Sequence, residues 1–185
     1  KLFEVHPTDA KLLEKQVAEL GKGKQIEVLR RNGFEGLKAL LPPPSRRGLV
    51  LIDPSYEIKT DYARVAATVQ DSLKRFPTGT YMVWYPVIGR PEAHDLPRRL
   101  RTLAQQAGKS WLHATLTIKS GKTTTLPVSL QGDTKAPRPG LPASGVFLFS
   151  PPYTLAKTLR PALEQLVKLL GQDRHAACLV ESGGH

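Results

Sequence analysis

The sequence has few of the features that define several common protein classes. Its single cysteine, Cys178, excludes an internal disulfide framework and any zinc site built from cysteines. No stretch approaches the roughly 20 apolar residues of a membrane span, and Glu4 and His6 interrupt the short apolar start, so it does not form a signal peptide. We therefore expect a soluble, cytoplasmic protein in which Cys178 is buried and inert.

The sequence also has few acidic and few aromatic residues, and its histidines do not follow the spacing of metal ligands. We expect no metal site, because His6, His94, His113 and His175 show no metal-ligand spacing. The 185 residues include 16 acidic but 27 basic side chains, for a formal net charge of +11. This surplus favours a polyanionic partner, because cations near phosphates release counterions; a merely solvated basic surface is the alternative. An aromatic content of 6% argues against broad base-stacking surfaces.

Apolar periodicity predicts strands that alternate with helices along a single domain. The predicted strands are 2–6, 25–29, 49–52, 80–85, 111–118 and 146–149, and the predicted helices are 10–20, 34–41, 62–76, 92–107 and 155–170. The pattern predicts an α/β fold with a largely parallel sheet, in which the last two strands, with no helix between them, form an antiparallel pair. Thr60 or Asp61 would cap the third helix.

The third predicted strand ends abruptly in polar residues. Leu49 to Ile52 is an uninterrupted aliphatic run, typical of a strand buried on both faces, and Asp53-Pro54-Ser55-Tyr56 follows it. Open α/β sheets bind their ligands at the carboxyl ends of their strands. An acid, a proline and an aromatic ring at that edge suit a flat, amine-bearing ring such as adenine or cytosine.

Two further regions bear on function. A nucleotide-binding sheet usually begins with a strand and a Gly-rich turn into a helix, and the sequence has no such turn. It begins with Lys1 inside a predicted strand, so we expect a piece of a longer protein. The segment 131–143, rich in proline and glycine, is expected to be a mobile loop over the site or a plain surface excursion.

Four sequence blocks, at 2–9, 45–62, 74–81 and 84–87, together resemble a family nearly end to end: the bacterial 23S rRNA adenine-N6 methyltransferases called J, also described as proteins for using external DNA as a nutrient. Asp-Pro-Ser-Tyr alone is only weakly specific for the Asp/Asn-Pro-Pro-Tyr/Phe/Trp signature of amino-methyltransferases, whereas the block 45–62 is highly specific. The resemblance implies a Rossmann-like class I methyltransferase fold, S-adenosylmethionine as methyl donor and 23S rRNA as substrate, with no membrane and no obligate protein partner.

Family members also have an amino-terminal Gly-rich loop and an inserted helical subdomain, which this sequence lacks. We therefore expect residues 1–185 to be the C-terminal major part of one Rossmann-like domain, without its first strand and Gly-rich loop.

By the resemblance, Asp53 and Pro54 are catalytic: the Asp53 carboxylate and the Pro54 carbonyl accept the two N–H groups of the adenine amine. Tyr56 stacks on the base, and Ser55, which replaces the usual second proline, contacts it. A helix cap is the alternative for Asp53, and ordinary packing for Tyr56. The target base must leave its helix or lie in an unpaired region.

The resemblance also implies cofactor and phosphate contacts. Glu4 binds the cofactor ribose hydroxyls, Asn32 contacts the cofactor adenine amine, and Gly33, Phe34 and Asp53 complete the cofactor-binding set. The alternatives are a solvated acid for Glu4, a turn residue for Asn32 and a core residue for Phe34. Lys59, Lys135 and Arg138 are expected to contact phosphates, whereas Arg46 and Arg47 enter the sheet at the opposite edge and are expected to be structural or solvated.

Two other functions stay open from the sequence. The same catalytic residues suit a DNA adenine-N6 methyltransferase, because the tetrapeptide does not separate RNA from DNA. Departures from the family pattern at Ser55 and Asn32 leave a nucleic-acid-binding domain that has lost catalysis as the other alternative.

Overall fold

A computed structural model describes residues 1–120 and 140–184. Its strands are β1 (Leu2–Phe3), β2 (Val28–Leu29), β3 (Leu49–Ile52), β4 (Thr80–Val87), β5 (Trp111–Thr117), β6 (Ala143–Phe149) and β7 (Ala177–Gly183). Its helices are α1 (Pro7–Glu19), α2 (Gly33–Leu40), α3 (Thr60–Arg75), α4 (Pro91–Gln106) and α5 (Leu155–Leu170). The predicted α/β class is confirmed, and β7 is a strand that the periodicity did not predict.

The strands form two sheets. β1 and β2 pair in parallel as a two-stranded sheet, and the others form a five-stranded sheet in the order β3-β4-β6-β5-β7. Within the larger sheet only β3 and β4 are parallel, so the prediction of a largely parallel sheet is wrong for it. The predicted antiparallel pair is confirmed in β5 and β6. β6 also pairs antiparallel with β4, so it lies between β4 and β5 in the sheet.

Among residues 1–120 and 140–184, β3 is not buried on both faces, contrary to the prediction. Its one strand neighbour there is β4, and Leu49 and Leu51 on one face are 65% and 55% exposed. Val50 and Ile52 point to the other face and join the core cluster that contains the buried side chains of α3. An apolar run shows that a strand avoids water, but it does not show how many neighbours the strand has.

The two faces of the five-stranded sheet carry separate hydrophobic clusters. The cluster under α3 and α4 contains large aromatic side chains, and the cluster under α5 is smaller and mainly aliphatic. α3 begins after Lys59, and no side chain caps it, so the predicted cap at Thr60 or Asp61 is wrong. Asp61 is buried instead.

A polar chain that is buried at Tyr85 and His113 crosses the larger sheet. The Tyr85 hydroxyl on β4 lies 2.7 Å from Nε2 of His113 on β5, and Nδ1 of His113 lies 3.4 Å from the Glu181 carboxylate on β7. β6 separates β4 from β5, and Gly145 on β6 leaves room for the crossing: a Cβ there would lie 2.3 Å from Cζ of Tyr85. Arg101 on α4 donates to Glu181 at 2.8 Å, which extends the chain to the helix layer.

The two-stranded sheet packs on α2 through a close contact. The ring of Phe3 on β1 lies over Gly36, where a Cβ would approach within 2.2 Å of the ring. α2 in turn contacts α3, with the Arg64 guanidinium 4.7 Å from the centre of the Phe34 ring. Among the helices of residues 1–120 and 140–184, none combines the length and apolar character needed to span a membrane.

Candidate active site

The carboxyl ends of β3 and β4 meet at one edge of the five-stranded sheet, which we call the carboxyl edge. Ile52 pairs with Val83 in the parallel register, and Val87 at the end of β4 pairs with Ala143 at the start of β6. The edge therefore carries the segment 53–59, which we call the motif loop, beside the turn 88–90 that leads into α4. Ile118 and Pro142, which follow β5 and precede β6, lie at the same edge, and the Ile118 amide donates to the Pro142 carbonyl at 2.9 Å.

Asp53 is the first residue of the motif loop and is exposed at the carboxyl edge. Among the residues that the structure describes, none forms a hydrogen bond or an ion pair with its carboxylate. Partial burial of the carboxyl raises the pKa of Asp53, because desolvation disfavours its charged form. Pro54 is half-buried and the Ser55 side chain is exposed, so the three residues offer an accessible acceptor set.

Tyr56 turns away from this surface. Its ring is 3% exposed, its hydroxyl donates to the Trp84 carbonyl at 2.7 Å, and the Tyr62 ring lies 4.8 Å from it, centre to centre. Burial raises the pKa of the Tyr56 hydroxyl. The sequence predicted a ring that stacks on the substrate; the structure has a packed core ring, which is the alternative named above.

The backbone of Tyr56 is unusual for a side-chain-bearing residue. Its φ is +55°, in the left-handed region that non-glycine residues rarely adopt. The chain reverses here, which sends the ring inward while Asp53 and Ser55 stay outside. Sequence patterns carry no signal for such a turn when glycine is absent from it.

Arg90, which the sequence analysis missed, contacts the same turn. Its Nη1 donates to the carbonyls of Tyr56 and Glu57, both at 3.1 Å. Two residues further on, a Glu92 carboxylate oxygen lies 3.9 Å from Nζ of Lys59. The signal that could have found Arg90 was its place directly after β4, the strand parallel to β3, because neighbouring parallel strands end at one edge.

Glu4 and Asn32 occupy the corresponding edge of the two-stranded sheet. Each follows a strand of a parallel pair, so the structure brings them to the same side. One Glu4 carboxylate oxygen accepts the His6 amide at 2.7 Å. The Asn32 side-chain oxygen accepts the Phe34 amide at 3.0 Å and caps α2, which is the turn role named as its alternative.

The remaining predicted site residues are dispersed. Gly33 begins α2 beneath Phe3, and Phe34 packs against the main core under Arg64. Lys59 is exposed on the motif loop, whereas Lys135 and Arg138, with most of the predicted loop 131–143, lie outside the described residues. Arg46 and Arg47 precede β3 and are exposed at the opposite edge, as expected.

Comparisons with known proteins give one consistent family. Residues 1–180 match the family model described as "Ribosomal RNA large subunit methyltransferase D, RlmJ". A Haemophilus influenzae protein named Ribosomal RNA large subunit methyltransferase J is 34% identical over 180 residues, and the Escherichia coli protein of the same name is 37% identical over 166 residues.

These matches cover 97% and 90% of this chain but only 57% and 52% of the two relatives. The chain therefore spans about half the length of the curated relatives it matches. The crystal structure of a Legionella pneumophila protein superposes with a TM-score of 0.77 at 29% identity, over 98% of this chain and 60% of that one.

Proposed function

This chain belongs to the RlmJ family of ribosomal RNA large subunit methyltransferases, and from that membership we propose that the whole protein methylates the N6 amine of an adenine in 23S rRNA. S-adenosylmethionine is the proposed methyl donor, and a cytoplasmic location follows from an rRNA substrate. The family match supports methylation of rRNA in general. Our proposal goes further in naming 23S rRNA as the substrate and the N6 amine of adenine as the methylated group.

One observation carries the assignment of chemistry. The Asp53 carboxylate lies at the end of β3, accessible at the carboxyl edge, with no hydrogen-bond partner among the residues that the structure describes. This Asp53 carboxylate beside the Pro54 carbonyl suits an amine, because each N–H group of the amine needs a hydrogen-bond acceptor. Partial burial raises the pKa of Asp53, so its carboxylate is a more basic hydrogen-bond acceptor than that of an ordinary aspartate.

In the proposed mechanism these residues act on the geometry of the amine. An exocyclic adenine amine is a poor nucleophile because its lone pair is delocalised into the ring. Asp53 accepts one N–H and the Pro54 carbonyl accepts the other, which draws the nitrogen towards tetrahedral geometry and frees the lone pair. Holding the amine in line with the methyl group supplies much of the rate. Ser55 leaves both acceptors in place, so we expect activity to survive its replacement of proline.

The residues of the two-stranded sheet suit the donor. S-adenosylmethionine, when bound, supplies an electrophilic methyl group on a sulfonium. Glu4 uses one carboxylate oxygen for the His6 amide, and its other oxygen suits a ribose hydroxyl, as an acid after a second strand commonly does. The cap of α2 uses one lone pair of the Asn32 side-chain oxygen, and its second lone pair suits the adenine amine of the cofactor.

The test is methyl transfer by the whole natural protein. Labelled methyl from S-adenosylmethionine should enter protein-free 23S rRNA, and digestion should recover N6-methyladenosine. Asp53→Ala should abolish transfer and spare rRNA binding. Asp95→Ala is the matched control, because Asp95 pairs with Arg98 on an exposed face of α4.

Each alternative has its own outcome in this assay. Strong labelling of duplex DNA without labelling of rRNA would replace the proposal with a DNA methyltransferase. Binding of rRNA without any transfer by the wild type would favour a nucleic-acid-binding domain that has lost catalysis. Full activity of Asp53→Ala would remove Asp53 from the mechanism.

A further inference from the structure

We infer that Arg90 is a positioning residue that holds the motif loop, residues 53–59, in the conformation in which Pro54 and Asp53 face the substrate. The inference rests on the proposed function for its catalytic consequence. It rests on geometry for the contact itself: one guanidinium nitrogen donates to two successive carbonyls, those of Tyr56 and Glu57.

The two carbonyls need such a partner. Successive carbonyl oxygens that converge on one donor repel each other, and the carbonyls of Tyr56 and Glu57 converge on one Arg90 nitrogen, in a turn where Tyr56 has a left-handed φ of +55°. A cationic donor between them offsets that repulsion, and charge-assisted hydrogen bonds are stronger than neutral ones. Strained conformations of this kind persist where the surroundings over-determine them.

Hydrogen bonds hold the backbone of Arg90 on both sides. Its amide donates to the Ile88 carbonyl at 2.7 Å, and its carbonyl accepts the Ala93 amide at 3.1 Å in the first turn of α4. Its charge is directed at the motif loop, because no carboxylate of the described residues lies within ion-pair distance of it. The guanidinium thus links the loop after β3 to the start of a packed helix.

Two other contacts fix the same turn and show why it would move without Arg90. The Tyr56 hydroxyl reaches the Trp84 carbonyl from inside the core, and Lys59 lies near Glu92 at the far end of the loop. Arg90 acts directly on the backbone at Tyr56 and Glu57, next to the Ile58 carbonyl, which accepts the Asp61 amide at 3.1 Å. Removing Arg90 leaves the Tyr56 ring anchored but lets the peptide units on either side of Glu57 rotate, and that rotation passes along the loop to the Pro54 carbonyl two peptide units away.

The first measurement is steady-state methylation of rRNA by the whole natural protein and by Arg90→Met, which keeps the aliphatic stem and removes every donor. We expect kcat to fall about 10- to 100-fold, the range that small misplacements of reacting groups produce. KM for rRNA and for S-adenosylmethionine should stay within about threefold, since neither ligand binds through Arg90. Arg90→Lys should recover part of kcat, because an ammonium also donates to carbonyls.

Arg98→Met is the matched control. Arg98 lies on α4, the helix that Arg90 precedes, but its side chain is 79% exposed and pairs with Asp95. A kcat of Arg90→Met equal to that of this control would overturn the inference. A loss confined to KM for rRNA would overturn it too, because Arg90 would then be a phosphate contact.

The second measurement does not depend on activity. Trypsin cleaves after Lys59, which is exposed at the end of the motif loop, and cleavage in a native protein reports the open fraction of the segment. We expect cleavage at Lys59 to be about tenfold faster in Arg90→Met than in the wild type or Arg98→Met. Unchanged cleavage would overturn the inference, whether or not the wild type methylates rRNA; absent methylation with faster cleavage would sink only the proposed function.

Discussion

The N-terminal unit, with β1, β2, α1 and α2, and the five-stranded sheet are stabilised in different ways. Within residues 1–48 only Ala10 and Gly36 are buried, whereas the clusters on the two faces of the larger sheet contain nearly all of the core. The larger sheet is also tied together by the polar chain from Tyr85 to Glu181. Apolar burial dominates stability, so the larger sheet should carry most of it.

This difference separates the two halves of the candidate site. Asp53 follows a strand of the well-packed sheet, and Glu4 follows a strand of the weakly packed unit. The part of the candidate site that contains Asp53 is therefore held in place by the packed sheet. The part that contains Glu4, proposed for the methyl donor, depends on local contacts such as Phe3 against Gly36. The same kind of substitution should consequently have different effects in the two regions.

The largest effect is expected from Gly145→Ala in the larger sheet. The added methyl carbon would lie 2.3 Å from Cζ of Tyr85, on a strand held from both sides. We expect a loss of about 3 kcal/mol or more in the free energy of unfolding, measured by urea denaturation as one cooperative shift. Gly89→Ala is the control, because nothing lies within 4 Å of its position. Equal stability of the two variants would show that Tyr85 moves aside easily.

A smaller effect is expected from Gly36→Ala in the N-terminal unit. Its Cβ would lie 2.2 Å from the Phe3 ring, but β1 has only two residues and can shift. We expect a loss of about 1 kcal/mol, seen by hydrogen exchange as faster opening of β1 and β2 while the larger sheet stays protected. Adding Phe3→Ala should remove the clash and recover part of the protection. Global unfolding equal to that of Gly145→Ala would refute the division into two regions.

The smallest effect is the pH dependence that His113 gives to the larger sheet. Burial lowers the pKa of His113, against an opposing contribution from the Glu181 carboxylate, and Arg101 and the Tyr85 hydroxyl also face the ring. The unfolded chain therefore binds the proton more readily, so this stability is present above pH about 6.5 and is lost as the pH falls below it. Thermal midpoints between pH 8 and 5 should fall more steeply for the wild type than for His113→Gln. Parallel curves would show that the ring does not titrate on unfolding.

Much of the fold could be predicted, because apolar periodicity reports local structure well. The bounds of β3 and α5 agree with the sequence prediction. Neighbour relations are harder to predict: Leu51 is exposed because β3 has β4 as its one strand neighbour in the described part of the chain, and no local pattern encodes that. The antiparallel pairing of β7 with β5 likewise depends on which strand edge is available, and no local pattern encodes it.

The candidate site was predictable where a motif marks it. The position of Asp53 at a strand end followed from the abrupt change in polarity after Ile52. The inward turn of Tyr56 and the contact from Arg90 did not follow, because both depend on one backbone angle and on a residue 34 positions away in sequence. The cap formed by Asn32 was visible in the sequence only as an alternative to a cofactor contact.

The position of β6 between β4 and β5 also has a consequence for synthesis of the chain. A ribosome releases β4 and β5 before β6, and the segment 118–142 must be translated in between. At about 5 to 20 residues per second this delay lasts on the order of seconds. During that time the edges of β4 and β5 that β6 will cover offer unpaired backbone groups, so the nascent chain passes through a stage in which a chaperone would be most useful.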